Sequence, residues 1–263
     1  MGQLINDFLP PIIKKYINSR KWKFVGNYET WEEALKHCSG YNSIQTVSGM
    51  KQRHQQWLTS QEIAGKKHIL DSNCRNLLSY FFYPILELGK KEISVLDVGG
   101  AAGGHFTIVR ENLPNDISLN WTVNETEVAA KEFSEAFPQP NLIFTSNLEE
   151  LYGRAYDIIF SSGTLQYLES PYLFIKNIKN ISHRYLILTR LPLIDSDKDR
   201  LTVQHVPKSY YAGSYPIRFF SAQKLIASLT SGYNIICTWQ IENESVILDG
   251  KEVFFRGYLL RMK

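Results

Sequence analysis

The segment Ile93–Phe106, ISVLDVGGAAGGHF, constrains the fold of this chain more than any other part of the sequence. An apolar run ends at Asp97, a glycine-rich turn follows, and apolar residues at helical spacing resume at Phe106. This order predicts a buried strand, a tight turn and a helix that begins beside the turn. Glycines suit such a turn because positive φ costs them nothing and because they let a ligand's polar end approach the backbone. The turn spells neither G-x-G-x-x-G nor G-x-x-x-x-G-K-[ST], so the glycines alone do not identify the ligand.

Three further apolar runs end in polar residues. Parallel strands show this pattern where their carboxyl ends line a ligand-binding site. The run Leu119–Val123 stops before Glu125, about twenty residues past the glycines, where an acidic side chain can accept both hydroxyls of a ribose. The next run stops before Asn147, whose short polar side chain suits an adenine edge. The last opens into Ser161 and Ser162. The four strand ends together predict one nucleotide-like site.

Residues 91–263 are predicted to form an α/β domain. Strands alternate with helices, which favours a mostly parallel sheet with helices on both faces. The last two apolar runs, Tyr233–Ile241 and Val253–Met262, are joined by Asp249-Gly250, a dipeptide typical of tight hairpin turns. We therefore expect a parallel sheet that ends in an antiparallel hairpin.

Residues 1–90 are predicted to be a helical N-terminal extension. A capping-box pattern begins at Thr30 and indicates a helix over Trp31–His37, and apolar spacing indicates a longer helix over roughly 61–88. At the other end of the chain, residues 190–220 are predicted to be a substrate loop. So long a connection is more often functional than idle, and it leaves the carboxyl edge of the sheet.

The order of glycine turn, acid, polar residue and short polar loop resembles that of the class I S-adenosylmethionine (SAM)-dependent methyltransferases. The terminal antiparallel hairpin is also typical of those enzymes and unusual in dehydrogenases. The resemblance implies cofactor contacts from Asp97, Gly99, Gly100, Ala101 and Gly103 at the methionine end, Glu125 on the ribose, Asn147 near the adenine, and Ser161 and Ser162 beside the reactive centre. A Rossmann-like domain that binds NAD, or nothing, is the alternative.

Motifs over most of the chain are similar to those of an uncharacterised bacterial methyltransferase family associated with surface-polysaccharide and O-antigen gene clusters. They are Gly26-x-Tyr28-x-x-Trp31-x-x-Ala34, Leu96-Asp97-x-Gly99-Gly100, Trp121-x-Val123-x-Glu125, Ser162-Gly163-x-Leu165-Gln166-Tyr167-Leu168, Arg190-x-Pro192, Leu201–Pro207 and Ser214-Tyr215-Pro216. The resemblance implies methylation of a nucleotide- or lipid-linked sugar. Thr189 stands where we expect the family to carry Asp, which leaves a polar contact near Arg190 open.

A sugar hydroxyl is not acidic near neutral pH, so its methylation gains from a base. His205 is the candidate, since imidazole titrates near neutrality, with a backbone-bonded loop histidine as an equal alternative. Arg190 can hold a phosphate or carboxylate of the substrate bidentately, or form a structural salt bridge. Substrate contacts are also expected from Gln166, Tyr167, Tyr210, Tyr211 and Tyr215. His105 is interpreted as an ordinary first-turn helix residue rather than a cap on the cofactor pocket.

Composition excludes several other classes. The net charge of +3 is spread along the chain, so nucleic-acid binding is not expected. The basic stretch Lys14–Lys23 is interpreted as a solvated helix face, with weak contact to an anionic membrane as the lesser alternative. The three cysteines lie far apart, so no metal site is expected. Neither a membrane span nor a secretory signal is recognised, and we expect a cytoplasmic protein.

A second hypothesis is a non-catalytic methyltransferase-like module that binds a polysaccharide-biosynthesis enzyme. A cofactor pocket filled by side chains would favour it, whereas the small residues of the turn speak against such filling. The acceptor and the oligomeric state are not predicted.

Overall fold

The computed structural model describes residues 22–40, 44–63, 72–206 and 213–263. The predicted substrate residues Tyr210 and Tyr211, and nearly all of the basic stretch Lys14–Lys23, lie outside the described residues. The strands are β1 Lys23–Tyr28, β2 Glu92–Val98, β3 Ser118–Asn124, β4 Leu142–Thr145, β5 Ala155–Ser162, β6 Ser182–Ile194, β7 Arg200–Val206, β8 Gly213–Ser221, β9 Tyr233–Leu248 and β10 Lys251–Met262. The α-helices are α1 Trp31–Leu35, α2 Ile44–Ile63, α3 Ser72–Leu88, α4 Gly104–Asn112, α5 Glu127–Ala136, α6 Pro171–Asn177 and α7 Ala222–Thr230.

The core sheet has the strand order β4-β3-β2-β5-β6-β10-β9. Strands β2 to β6 are parallel, and β10 runs antiparallel to both β6 and β9. Leu248 pairs with Lys251 across a two-residue turn in which Asp249 and Gly250 both have positive φ, 48° and 78°. Such a turn matches the twist of the hairpin strands. The predicted α/β fold and its terminal antiparallel hairpin are therefore confirmed.

Helices cover both faces of the core sheet. On one face, α3 and α4 pack on alternate strand residues, among them Ile93, Val95 and Phe160. On the other face, α6 and α7 pack on the intervening residues, among them Leu96 and Ile159. Strands buried on both faces are apolar almost throughout, so the few polar residues at their carboxyl ends stand out.

The described residues between 190 and 220 are mostly in strands, where a substrate loop is predicted. Strand β6 runs on to Ile194 and pairs with β8, and β8, β7 and β1 form a small antiparallel sheet at the end of β6. Strand β7 is buried on both faces, with Leu201 and Val203 on one and Thr202 and Gln204 on the other. Its partner β1 comes from the N-terminal extension, for which the sequence predicts only helices. Because the two strands lie far apart in the chain, no local sequence pattern indicates that they pair.

The N-terminal extension is therefore not wholly helical. The Thr30 cap is confirmed, since its hydroxyl accepts a hydrogen bond from the backbone N–H of Glu33 at 3.1 Å. Helix α2 begins at Ile44, well before the helix predicted over 61–88, and packs against α5 and the glycine turn. In the described parts of the chain, no helix combines the length and apolarity needed to cross a membrane.

Candidate functional site

The glycine turn joins the carboxyl end of β2 to the start of α4. Three of its residues have positive φ: Gly99 at 74°, Ala101 at 48° and Gly103 at 79°. A Cβ at Gly99 would run into the Thr164 side chain, from the loop after β5, and a Cβ at Gly100 would run into the carboxylate of Asp97. The glycines are thus needed both for backbone conformation and for close packing around the turn.

Asp97 lies beneath the turn and is fully buried. One of its carboxylate oxygens, Oδ2, is 2.9 Å from Nδ1 of His105 and accepts a hydrogen bond from Nε1 of Trp121 at 3.2 Å. The other, Oδ1, is buried without a hydrogen-bond partner among the described residues. His105 is therefore bridged to Asp97 across the turn, a contact that the interpretation as an ordinary helix residue missed.

Glu125 follows β3 and is brought to the glycine turn. Its Oε1 accepts a hydrogen bond from the backbone N–H of Ala101 at 3.0 Å, and its Oε2 accepts one from Thr126 at 3.1 Å. Burial raises the pKa of Glu125, the two backbone N–H groups oppose the rise, and the negative charge of Asp97 adds to it. Each carboxylate oxygen keeps a second lone pair, so Glu125 can still accept ribose hydroxyls.

The other predicted cofactor residues have mixed placements. Ser161 is buried and donates to the carbonyl of Val98 at 3.0 Å, which ties β5 to the end of β2. Ser162 ends β5 and is partly exposed. Asn147 is exposed, and its Oδ1 accepts from the backbone N–H of Glu149 at 3.0 Å. Ser161 and Asn147 thus have structural partners, and their contacts to a cofactor stay predictions.

A second polar group surrounds Arg190 of β6, just past the point where the pairing of β6 with β5 ends. Arg190 has a left-handed backbone with φ of 60°, unusual for a residue with a side chain, and such strain often marks functional sites. Its Nε donates to Glu244 at 2.8 Å. Gln166 is buried, donates to the carbonyl of Arg190 at 3.2 Å, and leaves its Oε1 without a hydrogen-bond partner among the described residues.

Tyr80 and Trp239 border the same group. Their rings stack with centroids 4.3 Å apart at 22°. Burial raises the pKa of Tyr80. The side chains of Trp239 and Thr189 and the charge of Arg190 lower this pKa, and the charge of Glu244 raises it. Tyr80 comes from α3 and Trp239 from β9, and no motif links two residues so far apart in sequence. Sequence reasoning could not have found this pair.

Tyr167 and Tyr215 face inward rather than toward a cleft. The Tyr167 hydroxyl donates to Oε1 of Gln204 at 2.9 Å, and its ring meets that of Tyr215 edge-on at 5.2 Å. These contacts attach the small sheet to the loop after β5. In the described structure both tyrosines serve the scaffold, and their contact with a substrate stays a prediction.

His205 is not brought to the glycine turn. It is exposed and follows Gln204 in β7, so its side chain points to the opposite face from the contact with Tyr167. That face also carries Leu201 and Val203, which pack on α1. The geometry gives no support to His205 as the base. No set of three or more histidine, cysteine or acidic side chains within the described ranges is arranged to hold a metal ion.

Helix α2 lies over the outer side of the turn. Val47 and Met50 pack with Ala101 and Ala102 in one apolar cluster, and the His54 ring lies close to Gly104. The turn is therefore enclosed by β5 on one side and by the N-terminal extension on the other.

Comparison with solved structures finds the same fold in methyltransferases. One is a 1,6-didemethyltoxoflavin-N1-methyltransferase from Burkholderia thailandensis with its substrate and S-adenosylhomocysteine bound; it is 13% identical, and the match covers 82% of this chain and 88% of that chain with a TM-score of 0.50. Another is the N-terminal domain of EvdMO1 with S-adenosylhomocysteine and D-fucose, 15% identical over 73% of this chain and 84% of that chain, also with a TM-score of 0.50. No protein-family model matches the sequence, and no curated protein is significantly similar to it. This chain has a Rossmann-like α/β fold, which it shares with these methyltransferases.

Proposed function

We propose that this protein is a SAM-dependent methyltransferase. The contact that carries the proposal is the hydrogen bond from the Ala101 N–H to Glu125. It joins the acid at the tip of β3 to the glycine turn after β2. The turn also meets Thr164 after β5, so the site lies where the strand order reverses, and open α/β folds bind ligands at such a point.

The residues present fit the cofactor. Glu125 would accept the ribose hydroxyls, and the turn from Gly99 to Gly103, whose side chains are no larger than a methyl group, offers its backbone to the amino-acid arm. SAM supplies an activated methyl group on a sulfonium. The protein's contribution is to hold cofactor and acceptor in line and to exclude water, which accounts for much of the rate in such reactions.

The acceptor we propose is a sugar hydroxyl, on a nucleotide- or lipid-linked intermediate of surface-polysaccharide assembly in the bacterial cytoplasm. The resemblance of the sequence motifs supports this substrate class. So does the chemistry around Arg190 of β6: an aromatic pair, Tyr80 and Trp239, beside the Arg190–Glu244 ion pair and the Gln166 amide. Aromatic faces and bidentate polar groups suit a ring rich in hydroxyls.

Glu244, in place of His205, is the group that we propose takes the proton from the acceptor hydroxyl. It belongs to this group of side chains, which we propose as the acceptor cleft; its carboxylate can accept a hydroxyl's hydrogen bond, and its Oε2 is paired with Nε of Arg190 at 2.8 Å.

The first test is calorimetric titration with SAM, S-adenosylhomocysteine and NAD, on wild type and on Glu125→Gln. We expect micromolar binding of both sulfur cofactors, about tenfold or more weaker in the variant because an ionised hydrogen-bond acceptor is lost, and no binding of NAD. Transfer of a labelled methyl group to a panel of nucleotide sugars then identifies the acceptor. Binding of NAD alone would refute the proposal.

One contact favours the non-catalytic alternative. Val47 and Met50 of α2 pack in one apolar cluster with Ala101 and Ala102, so side chains of the N-terminal extension cover this part of the turn. If the titration shows no binding of any cofactor in wild type and in Met50→Ala, which opens this contact, the chain is a methyltransferase-like binding module. If Met50→Ala binds the cofactor and wild type does not, the chain is an enzyme whose cofactor site is closed by α2.

A further inference from the structure

The Asp97–His105 bridge leaves two polar atoms without a protein partner. Asp97 is fully buried, and its Oδ1 makes no hydrogen bond among the described residues. His105 uses Nδ1 toward Asp97, while its Nε2 makes no hydrogen bond to any part of the chain that the structure describes. Its side chain is 28% exposed, so the outer edge of the ring is accessible.

The imidazole ring of His105 is held in one orientation. The Asp97 carboxylate fixes one edge at 2.9 Å, and the Phe160 ring packs against the imidazole at 5.1 Å and 90°. Trp121 donates to the same carboxylate oxygen and holds it in place from below. A ring fixed on its inner edge points its outer nitrogen in a defined direction beside the glycine turn.

The charged groups beside the His105 ring are acids. Asp97 and Glu125 are both buried acids, and the negative charge of one is felt by the other. A buried carboxylate with an unpaired oxygen favours positive charge nearby. Both ring nitrogens of a histidine can carry an N–H, so Nδ1 can donate to Asp97 while Nε2 donates to an outside acceptor.

We infer that His105 binds the carboxylate of the cofactor's amino-acid end, held in position by Asp97. The inference rests on the proposed function, in which Glu125 takes the ribose and the rest of the cofactor runs along the turn. The amino-acid end is the only part of SAM that carries a carboxylate. His105 therefore makes the site prefer the complete cofactor to a fragment that lacks this end.

The test compares two probes, S-adenosylhomocysteine and 5′-methylthioadenosine, which lacks the amino-acid end. Both are titrated calorimetrically into wild type, His105→Ala and His105→Asn. The asparagine amide nitrogen can replace Nδ1 and donate to Asp97, but the side chain has no counterpart of Nε2. Asn thus keeps the bridge and removes only the outer contact, and melting temperatures report whether each variant is folded.

We expect both variants to lose roughly 10- to 100-fold in affinity for S-adenosylhomocysteine, as for one hydrogen bond to a charged group, and to keep wild-type affinity for 5′-methylthioadenosine. Full affinity for S-adenosylhomocysteine in His105→Asn would overturn the inference, since His105 would then only shape the turn. Equal losses for both probes would overturn it as well. Wild-type protein that binds neither probe would refute the proposed function, and the inference with it.

Discussion

Gly99→Ala tests whether the glycine turn is fixed by its contact with the loop after β5. Gly99 has φ of 74°, and an added Cβ would overlap the side chain of Thr164. Gly153 is a matched control, because its φ is 81° and a Cβ there would meet nothing within 4 Å. Both substitutions strain the backbone alike, and only the first also creates a clash.

The two costs can be separated. A left-handed alanine costs about 1–2 kcal/mol, so Gly153→Ala should lower the free energy of unfolding by that amount. Overpacking against Thr164 adds about 1–3 kcal/mol, which gives roughly 2–5 kcal/mol for Gly99→Ala. Thr164→Ala removes the atoms nearest the added Cβ, so combining it with Gly99→Ala should recover part of the loss, with a coupling of about 0.5–3 kcal/mol.

Urea unfolding followed by circular dichroism measures all four variants against wild type. Equal losses in Gly99→Ala and Gly153→Ala would refute the reasoning, because the contact with Thr164 would then contribute nothing. Additive losses in the double variant would refute it too. Either result would mean that the turn and the loop after β5 are held independently of one another.

Three further outcomes follow from other contacts. Nδ1 of His183 donates to a carbonyl at 2.6 Å and its Nε2 accepts from the Tyr233 hydroxyl at 2.9 Å, so the ring is neutral. Burial lowers the pKa of His183, so below about pH 6.5 the unfolded chain binds more protons than the folded chain. The free energy of unfolding should therefore fall as pH drops from 7 to 5, less steeply in His183→Gln. Asp199 accepts from the backbone N–H of Ser221 at 2.9 Å while 4% of its side chain is exposed, so Asp199→Asn should cost about 1–3 kcal/mol by urea unfolding; a loss within error of zero would contradict this. Glu244→Gln should lower kcat about 100-fold or more in the methyl-transfer assay and leave S-adenosylhomocysteine affinity unchanged by calorimetry; weakened cofactor binding would place Glu244 outside the acceptor cleft.

The parts of the fold that follow from the sequence are those that local patterns encode. Strand β2, the glycine turn, the acid at Glu125 and the Asp249-Gly250 hairpin each lie within a short stretch whose periodicity and turn residues specify them. Strand β7 does not follow from a local pattern, because its partner β1 lies about 180 residues earlier in the chain. Pairing at such distance leaves no local signal.

Some residues of the candidate site also follow from local sequence patterns, and others do not. Glu125 follows β3 and the glycine turn follows β2. Because the carboxyl ends of parallel strands lie at one edge of the sheet, the sequence predicts that the two meet. The Asp97–His105 bridge and the Tyr80–Trp239 stack depend on how helices pack on the sheet, which residue order does not specify. Residue type alone suggests His205 as the base. The direction of its side chain depends on its position in the pleated strand β7, which residue type does not indicate.

The pairing of β1 with β7 has a consequence for the order in which the chain folds. During synthesis β1 leaves the ribosome long before β7 exists, so it has no partner until most of the core sheet has been made. The sheet β2 to β6 can form first from neighbouring segments, whereas the small sheet cannot close until β7 and β8 have been made. A chain that began at residue 91 would retain the glycine turn but would leave β7 with an open edge.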